Sequence, residues 1–170
     1  VSNIAQINVP SLLNTNDLFI AGGGKFSTLA NFSQAAYGSY SYSNGFINDW
    51  YCLSENDINF GYNGLYSSQN ASALVVRSTD AIILSFTGTD LEDGRDVQHW
   101  FDMDSHYELL RPLITQFDNY IQNDSSISQV YITGHSLGGA MAAAYMQESH
   151  SYSSRLDHFE AVTFGSPGYY

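Results

Sequence analysis

Two β-rich runs and one helical pattern dominate the middle of the chain. Residues 71–78 (ASALVVRS) and 81–88 (AIILSFTG) are separated only by a polar pair at 79–80, which predicts a hairpin of adjacent antiparallel strands. Residues 108–123 (ELLRPLITQFDNYIQN) then space apolar side chains at helical intervals, with Pro112 early enough to lie in the first turn. We therefore predict two paired strands followed by a helix with one buried face.

The last third of the chain alternates between strand and helix patterns. SQVYITG (128–134) predicts a strand, AMAAAYMQES (140–149) a helix of small residues, and HFEAVTFGSPG (158–168) a further strand that ends in turn residues. With the preceding elements, the order is strand, helix, strand, helix, strand. This alternation predicts an α/β fold with a parallel sheet and flanking helices.

The first third is less regular. Residues 26–37 place apolar side chains close to helical spacing, which predicts an amphipathic helix. Residues 38–64 are rich in Gly, Ser, Asn and Tyr, which predicts loops and short turns. We therefore divide the chain into an irregular lead-in over residues 1–25 and one domain over residues 26–170.

Composition restricts the kinds of partner. The 170 residues, 44% of them apolar, suffice for one domain with a sizeable core. Five Lys plus Arg against seventeen Asp plus Glu give a net charge of -12, which repels nucleic acids and anionic bilayers. The sequence contains no run of 18 apolar residues, so it predicts no transmembrane helix. Low basic content with abundant Tyr, Asn and Ser favours a secreted, extracellular protein.

A candidate nucleophile lies in GHSLG (134–138). Ser136 stands between a predicted strand and a predicted helix, and a sharp turn there would expose its hydroxyl while the flanking glycines avoid clashes. The first amides of the helix and its positive dipole end would point to the place where an attacked carbonyl becomes negative. The N–H of Leu137 is therefore a candidate oxyanion donor. Thr89, after the earlier β-rich run, is a second candidate donor, with a plain strand-end turn as the alternative.

Four motifs together resemble the fungal-type (class 3) lipase family of α/β hydrolases. They are SFTGTD (85–90), DVQHWFDMD (96–104), GHSLGGA (134–140) and AVTFGSPG (161–168), in the family's order. The resemblance implies an α/β-hydrolase-type sheet, Ser136 as nucleophile, and an oxyanion hole formed by Thr89 and Leu137.

The resemblance also places a mobile lid at LEDGRDVQHW (91–100). Leu91, Val97 and Trp100 are its expected lid and substrate-contact residues, and Trp100 matches a family tryptophan for which we expect a packing role. Two positions depart from the family. Thr87 replaces the usual arginine before the glycine of the oxyanion strand, and the sequence after GSP reads GYY instead of an Arg-Val-Gly-Asn-like run.

The base and acid of a Ser-His-Asp triad are not evident in this sequence. His135 adjoins the nucleophile but cannot turn back onto its hydroxyl, and His150 and His158 precede the next strand, at the opposite sheet edge. His99 and His106 approach the pocket only if the lid folds inward. Because the order in α/β hydrolases is serine, acid, histidine, we expect both residues beyond position 170.

This expectation makes the sequence the N-terminal portion of the domain, with C-terminal strands and helices missing. We expect the missing residues in a longer form of the chain or on a second polypeptide that completes the domain. Neither source is favoured by the residues themselves.

No cofactor is expected, although calcium is an alternative. Six acidic residues between positions 90 and 104 offer the oxygen ligands that calcium prefers, but not at EF-hand spacing. Neither HExxH nor CxxC is present to suggest zinc.

The predicted function is a serine ester hydrolase that acts on lipid esters through an acyl-enzyme on Ser136. Triacylglycerol lipase and phospholipase A1 are not separated by the sequence. Two alternatives stay open: a lipase-like binding or structural domain without a complete triad, and an esterase of polar or cell-wall esters on the same fold.

Overall fold

A computed structural model of the chain describes residues 6–7, 25–37, 42–43, 50–53, 65–88, 102–149 and 158–167. The strands are β1 (Gln6–Ile7), β2 (Tyr42–Ser43), β3 (Tyr51–Cys52), β4 (Leu65–Ser68), β5 (Ala71–Arg77), β6 (Ala81–Phe86), β7 (Gln129–His135) and β8 (Phe159–Phe164). The helices are α1 (Lys25–Ala35), α2 (Met103–Glu108), α3 (Arg111–Asn123) and α4 (Leu137–Ser149). None of these helices is long and apolar enough to cross a membrane.

Six strands form one mixed sheet in the order β3-β5-β6-β7-β8, with β4 beside β3 on the same edge of β5. The pairs that involve β3, β4 and β5 are antiparallel, whereas β6, β7 and β8 run parallel. The predicted hairpin is therefore confirmed at β5 and β6, and the predicted parallel arrangement is confirmed for β6, β7 and β8. β1 and β2 form a separate two-stranded antiparallel ladder.

Helices cover both faces of the sheet. On one face, α1 packs Leu29 and Phe32 against Leu74 and Ile83. On the other face, α2, α3 and α4 pack against side chains that alternate with these, Leu84 among them. Because β6 is buried on both sides, all six of its residues are buried, and its sequence is a nearly continuous apolar run.

The predicted helix over residues 108–123 is in fact divided. α2 ends at Glu108 and α3 begins at Arg111, with Pro112 in its first turn. Proline lacks the N–H that would bond to the carbonyl of Glu108, so one helix cannot run through this point without losing a hydrogen bond.

The loop prediction for residues 38–64 is wrong at β2 and β3, each of two residues. β4 was not predicted either, because LYSS lacks a β-branched residue and half of its four residues are serine. A hairpin joins β4 to β5 through Gln69 and Asn70, and Gln69 takes a positive φ of 53° there. The predicted division into a lead-in and a domain over residues 26–170 stays a prediction, since most of residues 1–24 lie outside the described ranges.

Candidate active site

Ser136 is the single residue between β7 and α4. Its φ of 56° lies in the left-handed region, and among the described residues other than glycine only Gln69 shares this property. Such a conformation costs about 1–3 kcal/mol and persists only where the surrounding structure determines it. The predicted sharp strand-to-helix turn is therefore present at Ser136, which is half-buried.

Backbone hydrogen bonds hold this turn from both sides. The Ser136 N–H donates to the carbonyl of Phe164 on β8 at 2.9 Å. The Gly139 N–H donates to the Ser136 carbonyl, also at 2.9 Å, and this bond lies in the first turn of α4. The strained residue is thus tied to the neighbouring strand and to the helix that follows.

Two glycines let α4 approach the sheet closely. A Cβ placed on Gly134 would lie 2.2 Å from the carbonyl oxygen of Gly138, and one placed on Gly138 would lie 2.2 Å from that of Phe86. Both obstacles are backbone atoms, so any side chain would push α4 away from β6 and β7. The glycines on either side of Ser136 are therefore needed for this packing.

The start of α4 supplies hydrogen-bond donors beside Ser136. Leu137 is the first residue of the helix, and the first amides of a helix have no acceptor within it. The helix dipole also places partial positive charge at this end. The Leu137 N–H is thus the first amide of the helix, directly after Ser136, and its oxyanion role stays a prediction.

The backbone that follows β6 also lies beside Ser136. A Cβ on Gly88 would lie 3.2 Å from the Cβ of Ser136, so the backbone after β6 passes directly beside the turn. Thr89, the predicted second oxyanion donor, follows immediately but lies outside the described residues, as do Leu91, Val97 and Trp100. Their roles stay predictions.

Thr87, which stands where the family usually has an arginine, joins three elements. Its N–H donates to the Ser72 carbonyl at 2.9 Å, and its Oγ1 accepts from the Ser72 hydroxyl at 2.9 Å. The Thr87 hydroxyl in turn donates to the Ala36 carbonyl just after α1. In this chain, a small side chain at this position links β5, β6 and the end of α1.

The histidines are placed differently from one another. His135 Nδ1 lies 2.7 Å from the Tyr37 hydroxyl, so this ring faces the end of α1. His158 precedes β8, whose first residue pairs at the start of β7, whereas the nucleophile follows the end of β7. Six residues at about 3.3 Å each put His158 about 20 Å from Ser136. His106 lies in α2, and His99 and His150 fall outside the described residues.

Comparison with known proteins identifies the family of this chain. The sequence model of the family described as Lipase (class 3) matches residues 66–169, more than half of the chain. The chain belongs to the class 3 lipase family. No match was found among curated proteins.

Three of the solved structures that the chain resembles are fungal lipases. The lipase from Rhizopus microsporus var. chinensis is 17% identical over 66% of this chain and 47% of its own, with a TM-score of 0.48. Lipase II from Rhizopus niveus is 22% identical over 61% of this chain and 47% of its own, with a TM-score of 0.51. A propeptide complex of Rhizomucor miehei lipase is 19% identical over 62% of this chain and 41% of its own, with a TM-score of 0.49. The likeness to lipase II confirms the predicted α/β-hydrolase-type sheet, and this class 3 lipase chain spans less than half the length of these proteins.

A cavity of about 120 Å³ in this class 3 lipase chain lies away from the nucleophile. It is lined by Asp118 on α3 and Tyr145 on α4, among others. Burial raises the pKa of Asp118, whose carboxylate accepts a 2.7 Å hydrogen bond from the Tyr145 hydroxyl. Tyr145 is nine residues beyond Ser136 on the helix, or about 13 Å at 1.5 Å per residue. Asp118 is therefore a partly buried carboxylate of the helix layer and not the acid of a triad built on Ser136.

The acidic residues that raised the calcium hypothesis are mostly outside the described residues. Among the described acidic residues, Asp102 caps α2 by accepting a hydrogen bond from the Ser105 N–H at 3.0 Å. Hydrogen bonds from Ser105 also lower the pKa of the Asp102 carboxyl. In the described part of this class 3 lipase chain, no group of three or more His, Cys, Asp or Glu residues could hold a metal ion.

Proposed function

We propose that this chain carries the nucleophile elbow of a secreted serine ester hydrolase that acts on lipid esters. The observation that carries the proposal is the left-handed Ser136, held between the end of β7 and the first amides of α4. A serine in this geometry presents its hydroxyl at the carboxyl edge of the parallel strands, where α/β folds bind their substrates. Membership of the class 3 lipase family supports the choice of lipid esters.

In the proposed reaction, the Ser136 hydroxyl oxygen bonds to the acyl carbonyl carbon while a histidine base takes its proton. The resulting oxyanion accepts hydrogen bonds from the Leu137 N–H and from Thr89. When the tetrahedral intermediate collapses, the ester C–O bond breaks, the histidine returns the proton to the departing alcohol, and an acyl group remains on Ser136. Water then attacks the acyl-enzyme by the same route and releases the fatty acid.

The histidine and its acid are proposed to come from residues outside this sequence, either in the same protein or on a second polypeptide. Two of the three described histidines support this, because His135 is engaged by Tyr37 and His158 is at the far end of the sheet. Leu91, Val97 and Trp100 are proposed to contact the acyl chain from the lid segment. No cofactor is part of the proposal.

The net charge of -12 favours a neutral lipid surface over an anionic one, because like charges repel within about a Debye length. We therefore place triacylglycerol ahead of anionic phospholipid as the substrate.

The test compares wild-type protein in its natural full-length form with Ser136→Ala. We expect wild type to hydrolyse a p-nitrophenyl ester and a triacylglycerol emulsion, and Ser136→Ala to lose about 10⁴-fold or more in kcat. Ser67→Ala, on the exposed part of β4, is the matched control and should retain full activity. A fluorophosphonate that labels wild type but not Ser136→Ala would identify the nucleophile directly.

Three outcomes would change the assignment. Wild type that is inactive on every ester leaves a lipase-like binding or structural domain. Preference for phosphatidylcholine over triacylglycerol favours a phospholipase A1. Preference for short or aromatic acyl groups favours an esterase of polar or cell-wall esters.

A further inference from the structure

A tyrosine from the opposite end of the chain contacts the residue before the nucleophile. The Tyr37 hydroxyl lies 2.7 Å from Nδ1 of His135 and 3.5 Å from the His135 carbonyl oxygen. The two rings are tilted by 53° with centroids 5.9 Å apart. Tyr37 follows α1, which packs on the face of the sheet opposite to α4, so this contact joins the two helical layers at the elbow.

The same hydroxyl also closes on the end of β6. A Cβ on Gly88 would lie 2.3 Å from the Tyr37 hydroxyl oxygen, 2.4 Å from the His135 carbonyl oxygen and 3.2 Å from Ser136 Cβ. The backbone at Gly88 is therefore enclosed by Tyr37 on one side and by the elbow on the other. The Tyr37 hydroxyl thus contacts both His135, next to Ser136, and the backbone at Gly88. The separation of these two segments sets the distance from Ser136 to the end of β6.

This separation matters because the elbow is strained. Ser136 holds a φ of 56°, and such a conformation relaxes unless its neighbours prevent it. The bonds to Phe164 and from Gly139 restrain its backbone along β8 and α4, but neither of them reaches the end of β6. The β6–β7 ladder ends at the Phe86–Gly134 pair, and the start of α4 lies against Phe86. Tyr37 adds a side-chain contact beyond these, at Gly88.

We propose that Tyr37 is a positioning residue for ester hydrolysis. Acting through His135, its hydroxyl holds Ser136 at the correct distance from the backbone that follows β6. The proposal rests on the proposed function, in which the segment after β6 supplies an oxyanion donor. Tyr37 itself does not touch the reacting atoms.

The first test is Tyr37→Phe in the natural full-length protein, which keeps the ring and removes only the hydroxyl. We expect kcat to fall about 10- to 100-fold, since displacements of about 1 Å cost up to about 100-fold. The KM for a p-nitrophenyl ester should change less than twofold, and the rate constant for phosphonylation of Ser136 should fall in parallel with kcat. Tyr66→Phe is the matched control, because its hydroxyl donates to the Leu109 carbonyl at 3.0 Å, on β4 at the sheet edge. It should leave kcat unchanged.

The second test asks whether Tyr37 acts through His135. We expect His135→Leu to lower kcat, and Tyr37→Phe to add less than a twofold further loss in the His135→Leu background. His135→Asn, whose amide can still bond to the Tyr37 hydroxyl, should restore most of the loss. Full additivity of the two losses would overturn the proposal, and so would an unchanged kcat or a rise in KM alone in Tyr37→Phe.

Urea unfolding of each variant separates positioning from loss of the fold, because activity is compared per folded molecule. If Tyr37→Phe does not fold, equal kcat values for His135→Leu and His135→Asn overturn the proposal, and a higher kcat for His135→Asn supports it. Inactive wild type would overturn the proposed function and this role together. Active wild type with unaffected Tyr37→Phe would overturn only the role of Tyr37.

Discussion

The close approach of α4 to β6 makes Gly138→Ala a sharp test of the elbow. By helix propensity alone, alanine in place of glycine stabilises a helix by up to about 1 kcal/mol. By packing, the same change should destabilise this one. The two effects have opposite signs, so the sign of the change in unfolding free energy shows whether packing against β6 outweighs helix propensity at Gly138.

The magnitude follows from the distances at Gly138. Its added Cβ would lie 2.2 Å from the carbonyl oxygen of Phe86 and 2.8 Å from the carbonyl carbon. An ordinary carbon–oxygen contact is about 3.3 Å, so the first turn of α4 must retreat by about 1 Å. Overpacking of this kind costs about 1–3 kcal/mol, and because the obstacle is backbone we expect a net loss of about 1–2 kcal/mol after the gain in propensity. Since Ser136 and the Leu137 N–H move with the helix, kcat/KM should fall about 100-fold.

Urea unfolding at 25 °C measures the stability, and hydrolysis of a p-nitrophenyl ester measures kcat/KM. Ala143→Gly, at a partly exposed position of the same helix, is the control. It should cost about 1 kcal/mol of propensity and leave kcat/KM within twofold. If Gly138→Ala is at least as stable as wild type and equally active, α4 does not press on β6 and the explanation for the glycines of the elbow is refuted.

Two further predictions concern carboxylates away from the elbow. Burial raises the pKa of Asp118, so its charged form opposes folding at neutral pH, whereas Asp118→Asn can still accept from Tyr145. Asp118→Asn should therefore be more stable than wild type at pH 7, with the difference lost as the pH falls through the raised pKa towards 3.8. Urea midpoints at pH 7 and pH 4 test this, and lower stability of the variant at both pH values would contradict it. Hydrogen bonds from Ser126, and secondly from the buried Arg77, lower the pKa of Asp124 from 3.8 to about 2. The carboxylate of Asp124 therefore stabilises the fold above pH 3.8, and this stabilisation is lost as the pH falls towards 2. Asp124→Asn should cost about 1–3 kcal/mol at pH 7, and its urea midpoint should converge with that of wild type in acid. A cost that does not change with pH would contradict the ion pair with Arg77.

The elements predicted from the sequence are those whose local pattern agrees with their burial. β5, β6 and β7 are β-rich apolar runs because they lie between two helical layers, and α4 is rich in alanine because it packs closely on the sheet. β4 has no such pattern, and its conformation depends on pairing with β5. For the same reason, the short strands β2 and β3 could not be distinguished from loops.

The candidate site divides in the same way. Ser136 and Leu137 were predicted because the strand, the glycines and the helix that define the elbow lie within a few residues of one another. Tyr37 was not predicted as part of the site, since 98 residues separate it from His135. Its hydroxyl reaches the elbow only because α1 packs on the sheet, and no local pattern encodes that contact.

The sequence by itself predicted β5 to β8, α1, α3 and α4, the position of the sharp turn and Ser136 as the candidate nucleophile, because these depend on interactions between near neighbours. Only the tertiary structure decided which distant backbones meet at that turn. The end of β6, the end of α1 and the elbow converge through sheet order and through helix packing on opposite faces. Tertiary structure also placed the partly buried Asp118 away from Ser136, beside Tyr145 further along α4. These arrangements depend on the summed packing of segments far apart in the chain, which periodicity within a short window does not record.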